Sequence, residues 1–255
     1  MEILYKFTVL SRRLFSALFS HRRRREMQEG KACELPRPTR EAPVLSQAKQ
    51  QGEGEGAKPP GTAKEDDLVA RWFSKGPRLI VWDFDLTLLC THAFGEGVEP
   101  GDVADRWESD VRDVDLLRRF VKTAQAQRVE VGIASYGRCE VIHEYLKHIF
   151  AGFDPPPFAP GKNIITPECL GMLDGTSVPA GKPRMLDLLC ARAEPVIDDK
   201  TKVIFFDDDD NNIADCIEAG FPHAFHTPEG FSRGALGQLE ASAKLATRGS
   251  SCLIS

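Results

Sequence analysis

The sequence predicts an α/β domain in which a three-layer, Rossmann-like parallel sheet occupies residues 66–240. Short apolar runs, which are typical of buried strands, alternate with segments in which apolar residues recur at the spacing of a helix. This alternation favours a parallel sheet with helices on both faces. Three of the apolar runs also end in polar residues, as expected for strands whose carboxyl ends meet at a ligand site.

The predicted strands are short, and helices separate most of them. The first strand is the apolar run at 79–82, and others follow at 129–134, 163–166, 203–206 and 224–226. Helical spacing predicts helices at 114–126, 141–150, 183–193 and 213–219. Pro183 suits the first turn of its helix, where a missing N–H costs little, and Gly220 suits the end of the last helix.

The composition is that of an ordinary globular protein. The chain has 255 residues, of which 42% are hydrophobic and 28% charged, and its net charge of -5 gives no general case for nucleic-acid binding. Its 7 cysteines include no CxxC pair and no zinc-like spacing, so we interpret them as reduced thiols. Because no run of about 18 uncharged apolar residues occurs, we expect no transmembrane helix.

Two further segments are expected before the domain. Residues 1–25 are basic, and in a helix one face would carry Ile3, Phe7, Leu10, Leu14 and Leu18. This pattern suits an organelle transit peptide or a helix on an anionic membrane; a disordered basic tail or a misassigned start codon are the alternatives. Residues 26–65 predict a disordered linker, because they contain too few large apolar residues to offset chain entropy.

Polar groups gather at the edge where such sheets bind ligands. They are Asp83, Asp85 and Thr87 after the first strand, Ser135 after the second, Asp207 and Asp208 after the fourth, and Lys182 just before a helix. Clustered carboxylates repel one another unless a cation binds, and hard oxygen ligands favour Mg²⁺. Ser135 and Lys182 could hold phosphate oxygens while one carboxylate attacks phosphorus and another moves the proton. The set predicts phosphoryl transfer.

These residues also carry a family resemblance. Asp83-Phe84-Asp85-Leu86-Thr87 matches the DxDxT motif of the haloacid dehalogenase superfamily, and Ser135, Lys182 and Asp207-Asp208 resemble its second, third and fourth motifs in the expected order. The sequence Phe205-Phe206-Asp207-Asp208, followed by Asn212-Ile213, is most similar to the small magnesium-dependent phosphatases of that superfamily. Because the segments between motifs are short, we expect no cap domain or a minimal one.

The resemblance implies a role for each matching residue. Asp83 would be the nucleophile and a metal ligand, and Asp85 the general acid and base, with its backbone carbonyl on the metal. Ser135, Lys182 and Thr87 would contact the phosphate. Asp208 is the preferred acidic metal ligand of the fourth motif, with Asp207 as helper or substitute.

We therefore expect a magnesium-dependent phosphomonoester hydrolase that forms an aspartyl-phosphate intermediate. The expected partner is a phosphorylated small molecule or protein, since an open site suits bulky phosphoesters. Alternatives are a polynucleotide-end or sugar-phosphate phosphatase, and a non-catalytic phosphate-binding module. Nucleic acid is not expected, because Asp102, Asp105, Glu108 and Asp110 make the surroundings acidic.

Several other polar residues are interpreted as structural. Asp209 and Asp210 are expected to favour the start of the helix that follows them, and Asn211 and Asn212 to hold the local turn. The histidines at 92, 143, 148, 223 and 226 form no ligand pattern. The polar segment 91–100 is either a mobile flap beside the site or a surface loop.

The chain ends in Cys252-Leu253-Ile254-Ser255, within a predicted tail at 241–255. This ending fits the C-a-a-X prenylation signal, in which a final serine favours farnesyl; an accidental cysteine is the alternative. One lipid binds membranes only marginally, and the N-terminal arginines could supply a second signal. We expect a cytoplasmic protein with membrane association; targeting to an organelle through residues 1–25 is the alternative.

Overall fold

The computed structural model describes residues 62–172 and 181–240. The predicted basic segment at 1–25, the tail with Cys252 and most of the predicted linker lie outside these residues. Helix α1 (Thr62–Phe73) begins inside the last part of the predicted linker. Within the described residues, no helix combines the length and the apolar character that a membrane span requires.

Five strands form one parallel sheet. They are β1 (Leu79–Trp82), β2 (Glu130–Ala134), β3 (Ile164–Ile165), β4 (Val203–Asp207) and β5 (Ala224–His226). Their order in the sheet is β3-β2-β1-β4-β5, and every neighbouring pair is parallel. The predicted fold class, a Rossmann-like parallel sheet, is confirmed. All five strands were expected from the apolar runs, and each lies within one residue of its predicted bounds.

Helices connect the strands. After α1 they are α2 (Val103–Asp110), α3 (Val114–Gln127), α4 (Cys139–Ile149), α5 (Gly181–Arg192) and α6 (Asp210–Glu218). Short 3-10 turns occupy Pro100–Asp102, Pro167–Leu170 and Lys200–Lys202, and residues 233–240 are also helical. The sequence pattern does not predict α2, because Val103 is its one fully buried apolar residue and the helix has no apolar stripe.

The core lies on both faces of the sheet, because successive side chains of a strand point to opposite sides. Ile80 and Trp82 of β1 pack with α1, α3 and α4. Leu79 and Val81 of the same strand pack with α5 and α6. The three predicted layers are therefore present, and burial on two faces explains why the strands read as continuous apolar runs.

The strand order fixes where a ligand site can form. The chain runs outward from β1 through β2 to β3, then crosses to the other side of β1 for β4 and β5. The connections thus diverge between β1 and β4, and their carboxyl ends leave a crevice there. Asp83 follows β1 and Asp207 ends β4, so both border this crevice.

Candidate metal centre

Three buried carboxylates meet at the crevice between β1 and β4. They belong to Asp83, Asp207 and Asp208, and one oxygen of each lies within 4.8 Å of the others. Their exposed fractions are 7%, 0% and 6%. Water screens such buried charges poorly, so their mutual repulsion is strong. A cation held between them would relieve it, and the triad is a candidate metal site.

Strand pairing brings the carboxylates together. Trp82 of β1 is in register with Phe206 of β4. The Asp83 N–H continues the ladder by donating to the Phe206 carbonyl at 2.8 Å. Residues one position beyond this pair, Asp83 and Asp207, therefore leave the sheet side by side. The parallel sheet sets the geometry of the site before any side-chain contact is made.

Lys182 supplies a buried positive charge beside the triad. Its Nζ donates to Asp83 Oδ1 at 2.5 Å and to the Ala134 carbonyl at 2.6 Å, and lies 3.2 Å from Asp207 Oδ2. The side chain is 1% exposed. When all three carboxylates are ionised, this lysine offsets one of three negative charges. The formal charge of the four groups is then −2, which a divalent cation would balance.

The pKa values of these groups reflect the opposing effects of burial and of neighbouring charges. Burial raises the pKa of Asp83 to about 6; Lys182 opposes the shift, and Asp208 adds to it. Burial likewise raises the pKa of Asp207 to about 6 against the opposing charge of Lys182. For Lys182 itself, burial would lower the pKa, but the charges of Asp207 and Asp83 outweigh burial and raise it. The ammonium group therefore stays charged at neutral pH.

The two adjacent aspartates at the carboxyl end of β4, Asp207 and Asp208, differ in their contacts. Asp207 accepts from the Asp209 N–H at 2.8 Å and from Asn212 Nδ2 at 3.1 and 3.0 Å, besides its ion pair with Lys182. These four contacts account for about all the lone pairs of a carboxylate. Asp207 could therefore ligate a metal only by exchanging one of them. Asp208 accepts from Thr87 Oγ1 at 3.3 Å and is slightly exposed.

The turn after β1 carries the other two predicted residues of the first motif. Leu86 has a φ of 60°, which allows the tight turn between Asp85 and Thr87. Thr87 is fully buried and donates to Asp208, so it joins the triad indirectly. The Asp85 carboxylate instead accepts from the N–H groups of Ala93 and Phe94 at 3.1 and 3.2 Å. Its side chain thus belongs to the loop that follows, outside the triad.

A second loop holds this turn from the outside. The Phe231 N–H donates to the Thr87 carbonyl at 2.8 Å, and Arg112 Nε donates to the Leu86 carbonyl at 3.3 Å. Gly230 has a φ of 71°, and a Cβ there would overlap Arg112 and lie 2.8 Å from the Leu86 oxygen. Glycine at this position therefore permits the close approach that positions the turn.

Ser135 lies one strand further along the same edge. It is 1% exposed, and its N–H donates to the Ile165 carbonyl at 3.1 Å. Its Oγ accepts from the Gly137 N–H at 3.1 Å, which leaves the hydroxyl proton for another acceptor. The preceding residue, Ala134, binds Lys182 through its carbonyl. Ser135 and Lys182 therefore both lie at the carboxyl end of β2.

The sequence interpretation missed three contacts of the site. Asn212, predicted only to hold a turn, donates to both oxygens of Asp207. His226, predicted to be structural, has its Nε2 3.0 Å from the Asp208 carbonyl. His92 lies 3.2 Å from Asp85 Oδ2. The position of His226 at the end of β5, the edge that carries the other site residues, was a usable signal. Asp209 caps α6 through the Asn211 N–H, as expected.

One part of the predicted acidic surroundings is wrong. Asp110 is buried, where it accepts from Arg106 Nε at 2.5 Å and from the Tyr145 hydroxyl. It therefore contributes no charge to the surface. Asp102, Asp105 and Glu108 are exposed, as that interpretation requires.

Comparison of the chain with protein-family models and with curated proteins gives no match. The fold and the candidate site are therefore described from the structure alone. They establish an α/β domain whose five-stranded parallel sheet carries a buried aspartate triad able to hold a metal ion.

Proposed function

We propose that the protein is a magnesium-dependent phosphomonoester hydrolase in which Asp83 is the nucleophile. The observation that carries the proposal is the buried triad with Lys182 at the crevice between β1 and β4. The four sequence motifs, which resemble those of the haloacid dehalogenase superfamily in identity and order, support the same reaction. Fold alone would not, because parallel α/β sheets host many activities.

The donor set fits magnesium. The three acidic side chains offer only carboxylate oxygens, which are the hard ligands that Mg²⁺ prefers. We assign Asp83 and Asp208 as direct ligands, because the contacts of Asp207 already occupy its oxygens. Asp207 would act through Lys182 and Asn212. When bound, the ion would neutralise the charge of the triad and that of an incoming phosphate.

The protein groups would then act in two steps. An Asp83 oxygen attacks phosphorus, the P–O bond to the alcohol breaks, and Asp85 donates a proton to the departing oxygen. Water next attacks the phosphorus of the acyl phosphate and gives its proton to Asp85. The Asp83–phosphorus bond breaks, which restores the carboxylate and releases inorganic phosphate. Lys182, at 2.5 Å from Asp83, and the Ser135 hydroxyl would bind the non-bridging oxygens.

The direct test is hydrolysis of a panel of phosphomonoesters by the full chain. The panel contains an aryl phosphate and a sugar phosphate, each assayed with Mg²⁺ and with excess chelator. We expect turnover with Mg²⁺ and loss of at least about 100-fold with chelator, because the triad cannot admit an anion while its own charge is uncompensated. Metal binding without turnover of any phosphoester would instead indicate a phosphate-binding module.

The raised pKa values predict how stability depends on pH. In the unfolded chain an aspartate has a pKa near 4, whereas burial raises the pKa of Asp83 and Asp207 to about 6. Between these values the folded protein binds more protons, so its stability falls as pH rises. In chelator we expect the melting temperature of the wild type to fall, relative to that of Asp83→Asn, between about pH 4 and 7. Adding Mg²⁺ should restore the melting temperature of the wild type at about pH 7.

This pH prediction is checked by thermal melts of both proteins in chelator and in Mg²⁺. The stabilisation by Mg²⁺ should be small at about pH 5 and large at about pH 7, because protons and metal compete for the same oxygens. An equal Mg²⁺-induced shift at both pH values would contradict the assignment of the triad as the binding site.

A further inference from the structure

We propose that His226 is a positioning residue of the metal centre: its ring holds the backbone of Asp208 and thereby orients the carboxylate that we assign to Mg²⁺. The inference rests on the metal site of the proposed function and does not require turnover. His226 is the last residue of β5 and is in register with Asp207 of β4. Its Nε2 lies 3.0 Å from the carbonyl oxygen of Asp208. Because a carbonyl oxygen only accepts, Nε2 carries the hydrogen of this bond.

The peptide unit between Asp208 and Asp209 is bound at both ends. Its carbonyl oxygen accepts from His226, and its N–H donates to Asp207 Oδ1 at 2.8 Å. Two hydrogen bonds on opposite sides fix the plane of this unit, which also contains the Cα atom of Asp208. Fixing the plane restricts the directions in which the Asp208 side chain can point, so the position of its carboxylate depends on His226.

The carboxylate of Asp208 is linked to the other end of the same loop. It accepts from Thr87 Oγ1 at 3.3 Å, and the Thr87 carbonyl accepts from the Phe231 N–H at 2.8 Å. Residues 226–231 therefore hold Asp208 at two points, through its backbone at the His226 end and through Thr87 at the Phe231 end. The loop after β5 thus supports one proposed metal ligand from both sides.

The next residue, Thr227, contributes to the sheet and makes a poorer test of this role. Thr227 is 1% exposed, and its N–H and Oγ1 both donate to the carbonyl of Asp207, at 2.8 and 3.2 Å. These bonds continue the pairing of β4 with β5, so replacing Thr227 would disturb the fold. His226 is exposed. Its substitution removes the bond to Asp208 without opening a cavity, so an effect on metal binding can be separated from an effect on folding.

The orientation of a ligand matters for Mg²⁺ in particular, since this ion binds at short distances with near-octahedral geometry. A carboxylate that is free to rotate must be ordered when the ion binds, and this ordering lowers the affinity. Groups that orient metal ligands commonly change metal affinity by about 10–100-fold when they are removed. Because His226 acts on the backbone of Asp208 and not on its carboxylate, we expect an effect at the lower end of this range.

The test measures the melting temperature of the full chain across a series of Mg²⁺ concentrations, which gives both the Kd for Mg²⁺ and the stability without metal. We expect His226→Ala to raise Kd by about 10-fold. His226→Gln should restore most of the affinity, because its amide nitrogen can take the place of Nε2. His226→Asn should resemble His226→Ala, since its amide is one methylene shorter. The matched control is His223→Ala, which removes a histidine that stacks on Phe225 and should keep the wild-type Kd.

The outcomes separate this inference from the proposed function. Equal Kd values in the wild type and His226→Ala overturn the inference and leave the hydrolase proposal intact. Should His226→Ala fold poorly, the other two variants decide: tighter Mg²⁺ binding by His226→Gln than by His226→Asn supports the inference, and equal Kd values overturn it. Weaker binding in His226→Ala supports it even if no phosphoester is hydrolysed, in which case only the hydrolase proposal fails. A wild type that Mg²⁺ does not stabilise contradicts the metal site, and the inference with it.

Discussion

Replacing Asp83 by asparagine is expected to lower phosphomonoester turnover on the order of 10⁴-fold or more, because an amide oxygen cannot form the acyl phosphate. The fold should persist, since asparagine has the same shape and leaves no cavity. Lys182 would keep its contacts with Asp207 at 3.2 Å and with the Ala134 carbonyl at 2.6 Å, so no buried charge is left without a partner. Steady-state hydrolysis and a thermal melt of the same sample check both statements.

The matched control for this variant is Asp210→Asn. It makes the same chemical change in the acidic run after β4, but Asp210 is exposed at the start of α6. Its turnover should stay close to that of the wild type, while its stability changes by no more than about 1 kcal/mol. Undiminished turnover in Asp83→Asn would exclude Asp83 as the nucleophile, and equal losses in both variants would point to a general effect of charge.

The sequence was sufficient for the sheet and for the members of the triad. A parallel sheet buried on both faces needs continuous apolar strands, so the runs at 79–82 and 203–206 were clear signals. Their carboxyl ends must share one edge, and this alone placed Asp83 near Asp207 and Asp208. Long-range proximity was predictable here because strand pairing is a strong and regular constraint.

The sequence was insufficient for the orientation of side chains. Asp85 is two residues from Asp83, yet its carboxylate binds the amides of Ala93 and Phe94, a contact set by the conformation of an irregular loop. Asp110 looked like part of an acidic surface, but α2 turns it inward to Tyr145 and Arg106. No periodicity encodes either result, because each depends on how one loop or one polar helix packs.

The difference between the two aspartates at the carboxyl end of β4 also depends on how one element packs. Asp207 and Asp208 are adjacent and chemically identical, so the residues themselves do not distinguish them. The preference for Asp208 as the metal ligand came from the family resemblance. The separation comes from α6, whose first turn brings Asn212 onto both oxygens of Asp207. Helix placement after the strand thus divides the pair into one residue held by the protein and one that we assign to the metal.

Replacing Lys182 by methionine is expected to lower the free energy of unfolding by about 3–5 kcal/mol in metal-free protein at neutral pH. Methionine fills a similar volume without branching, so packing changes little. The loss arises because Asp83 and Asp207 would stay buried without the ammonium group that lies 2.5 and 3.2 Å away. The control is Lys147→Met, whose side chain is 57% exposed in a surface pair with Glu144 and should cost less than about 1 kcal/mol. Denaturant unfolding in chelator measures both.

The same variant tests whether Lys182 and the metal ion both offset the excess negative charge of the three carboxylates. With the lysine removed, the formal charge of the cluster, with all three carboxylates ionised, becomes −3 instead of −2. A divalent cation should then relieve more repulsion, so the stabilisation by Mg²⁺ should be larger in Lys182→Met than in the wild type, although turnover is reduced by loss of a phosphate ligand. If Mg²⁺ stabilises the variant less than the wild type, the lysine is needed to position the metal ligands and does more than offset their charge. In that case Lys182 would have to act by holding Asp83 and the Ala134 carbonyl in position, a geometric role that its two short hydrogen bonds could also serve.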